Sequence, residues 1–342
     1  MRSALHKRRV KLRYFLIVLF PICVFAIYLV IQRHMITANM EVPVAILRDG
    51  PNWLESVGRF RFLAAAWFFI ALALLPAAVL ARNLARPLER ETKIASVATV
   101  LVIFLLALLP TIQQFITGEP PRVYHQVGKD VFETALSRGT LPGCETPEDG
   151  WLLGQCGDNP VFSLFRRILD LINALAGLAI GSLIVGMILC LAKGEESDIE
   201  KTSKELSGNL RQTRYQLYMS SVILTFGMFF AASWMHWPMP LVAEEDKAAY
   251  GALVSASALF TGTYFCLLML SYFLPVAVIL ESRVRTLADM ASRAEGEDAF
   301  DLEEWRSSHG LSEGAGSILR AGLALAAPIL AAFSGGISPI TG

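Results

Sequence analysis

No Asp, Glu, Lys, Arg or His stands near the middle of any long apolar stretch of this 342-residue chain. Asp170 and Glu281 lie at the ends of such stretches, and every other acid falls in a link or a tail. Ion-coupled transporters and proton pumps place charge-bearing groups at mid-membrane, so their absence argues against both. Intramembrane proteases and membrane-bound metal enzymes need carboxylates, His clusters or a Ser–His pair at that depth. The links hold no Walker A loop, no Gly-x-Gly-x-x-Gly after a strand and no His-Glu-x-x-His. The expectation is a protein that is not an enzyme, with no cofactor, no metal and no nucleic-acid motif.

Soluble sequence is equally scarce. With the apolar stretches set aside, no remaining piece exceeds about fifty residues, which is marginal for a folded domain. Charged residues make up 18% of the chain and hydrophobic ones 54%, and the balance is that of a membrane protein.

Six apolar stretches are long enough to cross a bilayer as helices: Tyr14–Ile31, Phe62–Leu80, Ile94–Ile116, Leu171–Leu191, Tyr215–Trp234 and Tyr250–Leu280. The first follows Arg2, Lys7, Arg8, Arg9, Lys11 and Arg13, as in a secretory signal peptide. Its apolar core exceeds the usual signal length and Arg33-His34-Met35 follows in place of a cleavage site, so it reads as an uncleaved signal anchor. Alternate assignment of sides puts 20 Lys and Arg on one side and 10 on the other, with none inside a span. By the positive-inside rule the richer side is cytosolic.

The expected fold is an all-α, polytopic membrane bundle. Residues 1–281 form a six-helix transmembrane domain with an extracytoplasmic loop at 118–165, and 282–342 form a cytosolic regulatory or plug tail. The expected location is a bacterial inner membrane, with both termini on the cytosolic side.

The sixth span carries two stripes. Ala258, Gly262 and Cys266 recur every four residues and form a small face suited to close contact with a neighbouring helix. Ser257, Thr261, Tyr264 and Ser271 form a hydroxyl face, the candidate lining or gate of a pore. The fourth span offers Asn173, Gly177 and Gly181, a small-residue pattern for helix packing with an amide to bond across it. Pro21, Pro76, Pro110 and Pro275 predict kinks. Trp234 and Trp237 read as an interfacial aromatic belt. Glu244, Glu245 and Asp246 form either a solvated turn or a cation-attracting vestibule.

Cys144 and Cys156 lie in the extracytoplasmic loop, where an oxidising compartment would let them pair. Free thiols are the alternative. In the tail, Leu302, Trp305 and Leu311 make a small apolar set, followed by Leu323, Ile329 and Leu330 in a closing apolar run. Counted from Arg320, that run is too short for a seventh span, yet it must be buried on the bundle, at the interface or against other copies. The preferred arrangement is a plug on the axis of an oligomer.

The link from Ala81 to Arg90 resembles the opening of a HAMP signalling linker, but the fourth residue after it already starts a span, so it reads as a basic turn. In architecture the whole chain resembles membrane effectors of bacterial antiviral defence systems, which depolarise the cell when a partner signals. Kinked helices with small and hydroxyl faces suit a conduit closed by an apolar constriction. The expectation is a channel-like homo-oligomer in contact with membrane lipids, gated by its tail under a cytosolic ligand or protein. The alternatives are a non-conducting scaffold or sensor, or a small-solute transporter.

Overall fold

A computed structural model describes residues 8–36, 53–117, 126–128, 150–151, 154–155, 160–193, 198–295, 300–312 and 315–336. Cys144 and Cys156 lie outside the described residues. Helix dominates. A 3-10 lead-in at Leu12–Val18 runs into α1 (Leu19–Ile31), which ends in a π turn at Gln32–Ile36. Then come α2 (Trp53–Ala85), α3 (Arg90–Thr117), α4 (Pro160–Leu189), α5 (Ile199–His236), α6 (Lys247–Glu295), α7 (Leu302–Ser308) and α8 (Ala315–Gly336). The strands among the described residues are β1 (Gly150–Trp151) and β2 (Gly154–Gln155), paired antiparallel.

Local chemistry sets several boundaries. Asp198 caps α5 by accepting from the Glu200 amide, and Asp301 caps α7 by accepting from the amides of Glu303 and Glu304. Pro21 lies two residues into α1, just after the 3-10 lead-in, so it removes a rung where the two helical segments join. Pro76, Pro110, Pro275 and Pro328 lie within α2, α3, α6 and α8, where each removes a rung of the ladder.

Among the described residues, seven helices are long and apolar enough to cross a membrane. The chain is a helical membrane protein. Burial ranks its parts: 67% of the apolar stretch of α4 is buried against 17% for α3, so α4 is the central helix and α3 lies at the rim. α4 packs on α2 and α3, α5 packs on α2 and α6, and α1 lies along α6. The many exposed Leu, Ile, Val and Phe of α1, α2 and α3 are the surface that lipid covers.

Four of the basic segments meet at one end of the bundle. Arg8 and Arg9 bridge to Leu88 and Lys193, stitching the N-terminal segment to the α2–α3 and α4–α5 links. Arg8 Nη2 donates to Asn209 Oδ1 at 2.7 Å and lies 3.3 Å from Glu205, and Asn209 Nδ2 donates to the Ala192 carbonyl. Arg283 of α6 lies over the Tyr14 ring, and Arg306 of α7 pairs with Glu281 at 3.1 Å. The start of α5 also has a buried inner face: Ser203, Leu206, Asn209 and Thr213.

At the far end, Trp234 and Trp237 correct the aromatic-belt expectation. They are 2% and 1% exposed, packed around Phe62 and Phe230 rather than facing the interface. Position in sequence gave them a depth, but the inward face of α5 and the turn after it took their rings into the core.

The C-terminal run departs most from expectation. α8 starts before Arg320, which gives an 18-residue apolar stretch, Gly316–Phe333, and it lies in the groove between α5 and α6. Arg320 is exposed and donates to the Gly316 carbonyl, so it does not interrupt the helix. Within the single chain, α8 is part of the bundle wall.

Candidate functional site

α6 faces three neighbours, and its stripes sort accordingly. The small face meets α8: a Cβ on Gly262 would lie 2.9 Å from Ala332 Cβ and 2.9 Å from the Pro328 carbonyl, and 3.3 Å from Ile329 Cα. Ala258 and Cys266, on the same stripe, are buried. The side bearing Phe260 and Tyr264 meets α1, where Tyr28 stacks on both rings with centroids 5.4 and 4.0 Å away. The third direction, carrying Thr261 and Leu268, looks into the interior.

That interior contains a chamber of about 100 Å³. Six helices wall it. α1 supplies Pro21, Ile22, Phe25 and Tyr28, and α2 supplies Phe69. α3 adds Ile103, Leu106 and Ala107, while α4 adds Ile172, Asn173, Ala176, Gly177, Ile180 and Ile184. α5 contributes Ile223, Leu224, Gly227, Phe230 and Ala231, and α6 contributes Thr261, Tyr264, Phe265 and Leu268. The lining is overwhelmingly aliphatic and aromatic, with Asn173, Thr261 and the two tyrosines as its polar members.

Four of the candidate site residues singled out from sequence therefore meet here from two different motifs: Asn173 and Gly177 of α4 with Thr261 and Tyr264 of α6. Ser257 is buried nearby on α6, whereas Ser271 lies a turn beyond Leu268 and outside the lining. Their hydroxyls serve the helix itself. Thr261 Oγ1 donates to the Ser257 carbonyl at 2.9 Å and Ser271 Oγ to the Leu268 carbonyl at 2.6 Å. Such back-bonding spends the donors locally and leaves an apolar wall.

Gly177 and Gly181 pack on α3 of the same chain. A Cβ on Gly177 would lie 2.5 Å from Ala107 Cβ, whereas one on Gly181 would be 3.4 Å from the nearest atom, the Val100 carbonyl. In the tail, Trp305 and Leu311 are buried in the core cluster near the charged end, while Leu302, Leu323 and Leu330 are exposed. Ile329 faces Gly262.

Sequence reasoning missed a buried polar row on α5. Asn209, Thr213, Gln216 and Ser220, spaced at 4, 3 and 4, share one face and are each under 5% exposed. Gln216 lies flat on Gly186 of α4, its Nε2 2.8 Å from where a Cβ would be. Gln216 Oε1 and Ser182 Oγ are buried without a partner. The 4–3–4 spacing is visible in the sequence, but it begins outside the apolar stretch, where helical spacing alone does not mark a buried face. The same face of α5 continues upward as Ile223, Leu224 and Gly227, the chamber wall.

Among the described residues no group of three His, Cys, Asp or Glu is placed to hold a metal ion. Fold and chamber together define the class: a bundle of apolar, membrane-length helices around a partly open apolar chamber. Compared with known protein families, with characterised proteins and with solved structures, the chain matches none.

Proposed function

We propose that the protein is a channel-like integral membrane protein of a bacterial inner membrane, with the Arg8 end of the bundle in the cytosol. One observation carries this reading. A single face of α5 bears a buried polar row at the charged end and then forms the wall of an apolar chamber deeper in the bundle. Polar groups that water can solvate, leading into an apolar constriction, are the arrangement that closes a pore by dewetting.

The hydroxyl face of α6 turns towards α1 and the chamber, so this path lies within one chain, and any homo-oligomer would carry one path per copy. Opening requires water to enter the chamber, which takes either a displacement of α1 or a shift of the α5–α6–α8 unit. The α7 clasp, held by Trp305 against the core and by Arg306 on Glu281, is where a cytosolic ligand or protein would act. A role as a depolarising effector in antiviral defence follows only if such a trigger exists.

A second reading, a non-conducting sensor, is favoured by the back-bonded hydroxyls, which make the chamber better suited to an apolar ligand than to ions. Flux separates the two. In proteoliposomes loaded with a potassium-sensitive dye, Leu224→Asp extends the polar row into the chamber and is expected to raise leak well above wild type. If correctly folded Leu224→Asp vesicles are as tight as empty ones, the channel reading fails and the sensor reading takes its place.

A further inference from the structure

We propose that the chamber is a binding site for one long acyl chain taken from the surrounding bilayer. This goes beyond the channel reading and does not require conduction.

Three observations converge. First, the chamber is long and narrow: along α4 it runs from Ile172 to Ile184, about 18 Å at the helical rise. Second, it communicates with lipid. Its α1 and α3 walls, Ile22, Phe25, Leu106 and Ala107, are only half-buried, and the outer faces of the same helices are exposed Phe20, Ile27, Leu101 and Leu105. The mouth between α1 and α3 therefore opens sideways into hydrocarbon.

Third, the chamber is polarised along its length. Asn173 and Tyr28 stand towards the end remote from Arg8, where α4 enters the bundle and α1 leaves it. Asn173 lies five residues, about 8 Å, past Ile168, where the apolar stretch of α4 begins. The opposite end, walled by Pro21, Ile184, Leu224 and Leu268, has no polar side chain in its lining. An amphiphile is matched at both ends, with its ester or carboxyl group at the Asn173 level and its chain pointing to the charged end.

Water is a poor occupant, since apolar cavities stay dry. An empty slot would forfeit dispersion contacts along its whole wall. Acyl chains surround the mouth at very high concentration. They would also complete the seal, because a hydrocarbon-filled chamber excludes water from the path that the α5 row begins.

A phospholipid chain and a free fatty acid present the same hydrocarbon, and the test separates them. The full-length protein is reconstituted in vesicles containing either a phospholipid with a diazirine near the end of one acyl chain or a diazirine fatty acid. After irradiation, labelled residues are mapped by mass spectrometry. Labelling is expected at inward-facing Ile180, Ile184 or Leu224 as well as on the lipid-facing surface, and the arm that gives it identifies the source. Ile180→Phe fills the slot and should cut the inward labelling about tenfold while the Leu101 and Leu105 face is labelled as before. Should that variant fail to fold, competition on wild type serves instead, because excess unlabelled fatty acid should saturate the inward sites alone. Labelling confined to outward-facing residues in both arms would overturn the site. Inward labelling without ion flux would keep this inference and sink the channel reading.

Discussion

Arg8 shows how much one side chain holds at the charged end. Its guanidinium donates to Asn209 Oδ1 and pairs with Glu205, while its backbone bonds to the α2–α3 link. Asn209 is 3% exposed and also donates to the carbonyl of Ala192, at the end of α4. Removing it takes a hydrogen bond from the Arg8 guanidinium, which keeps only its pairing with Glu205, and another from the Ala192 carbonyl. Hydrogen bonds to charged groups are worth roughly 1.5–3 kcal/mol, and the one-third exposure of the Arg8 side chain puts the loss at the lower end. Asn209→Ala is therefore expected to lower the melting temperature of the purified protein by several degrees. A double-mutant cycle with Arg8→Ala should show coupling. Simple additivity of the two changes would mean that the contact carries no weight. None of this was legible in the sequence, because the basic N-terminus reads only as a topology signal and its partner lies 201 positions away. The hydroxyl stripe was legible as a stripe. What it touches was not, since periodicity assigns faces to a helix but no neighbours.

Thr261 gives the sharpest residue-level test of the chamber. It is 2% exposed and its hydroxyl is already spent on the Ser257 carbonyl. Thr261→Asp places an acid where no charge is matched, and such a group draws in water or takes a proton. The expected outcome is a leaky protein whose leak grows as pH rises and the carboxylate ionises, whereas Thr261→Leu stays tight. Dye-leak curves that are flat with pH and equal for both variants would place this position in packing alone.

At the scale of elements, two helix contacts explain why small residues sit where they do, and they make opposite predictions. Gly177 meets Ala107 so closely that no Cβ fits, whereas Gly181 has ordinary van der Waals room. Gly177→Ala should cost about 1–3 kcal/mol by overpacking the α3–α4 contact. Gly181→Ala should be neutral or slightly stabilising, because Ala is worth roughly 0.5–1 kcal/mol over Gly inside a helix. Thermal stability of the two variants in detergent decides the matter, and equal losses would mean that the two glycines are held alike. The small-xxx-small pattern was readable from sequence, but the ranking within it was not. Which glycine is critical depends on which residue of α3 stands opposite, and that is set by the crossing of two helices distant in the chain. Gly262 belongs to the same class, with α8 as its partner, and Gly262→Leu should expel that helix from its groove.

The whole molecule turns on how far α8 travels into the membrane. The sequence reading placed the C-terminus in the cytosol because the run beyond Arg320 was counted as too short. The structure lengthens the run and packs it between α5 and α6, and the packing fixes its direction. Ala324 belongs to the core cluster near the charged end with Leu287 and Trp305, while Ala331 and Ala332 belong to the far cluster with Val254 and Ala258. α8 therefore enters from the charged end, antiparallel to α6. Ala332 reaches the level of Gly262, which lies fifteen residues, about 22 Å, below the opposite end of α6 at Lys247. The last described residue, Gly336, is only one turn further on. The described part of the helix thus ends about a turn beyond the level of Gly262, short of the start of α6 at Lys247. A reporter active only outside the cytosol should be lit when fused after Gly154. It should stay dark after Glu205, after Glu304 and, decisively, after Gly342. A lit reporter at Gly342 with a dark one at Glu304 would make α8 a full span and reverse the side of the C-terminus, leaving the other six spans in place. If Glu205 lit up as well, the end of the bundle gathered around Arg8 would face outward, and the proposed entry of water along the α5 row would begin on the wrong side of the membrane.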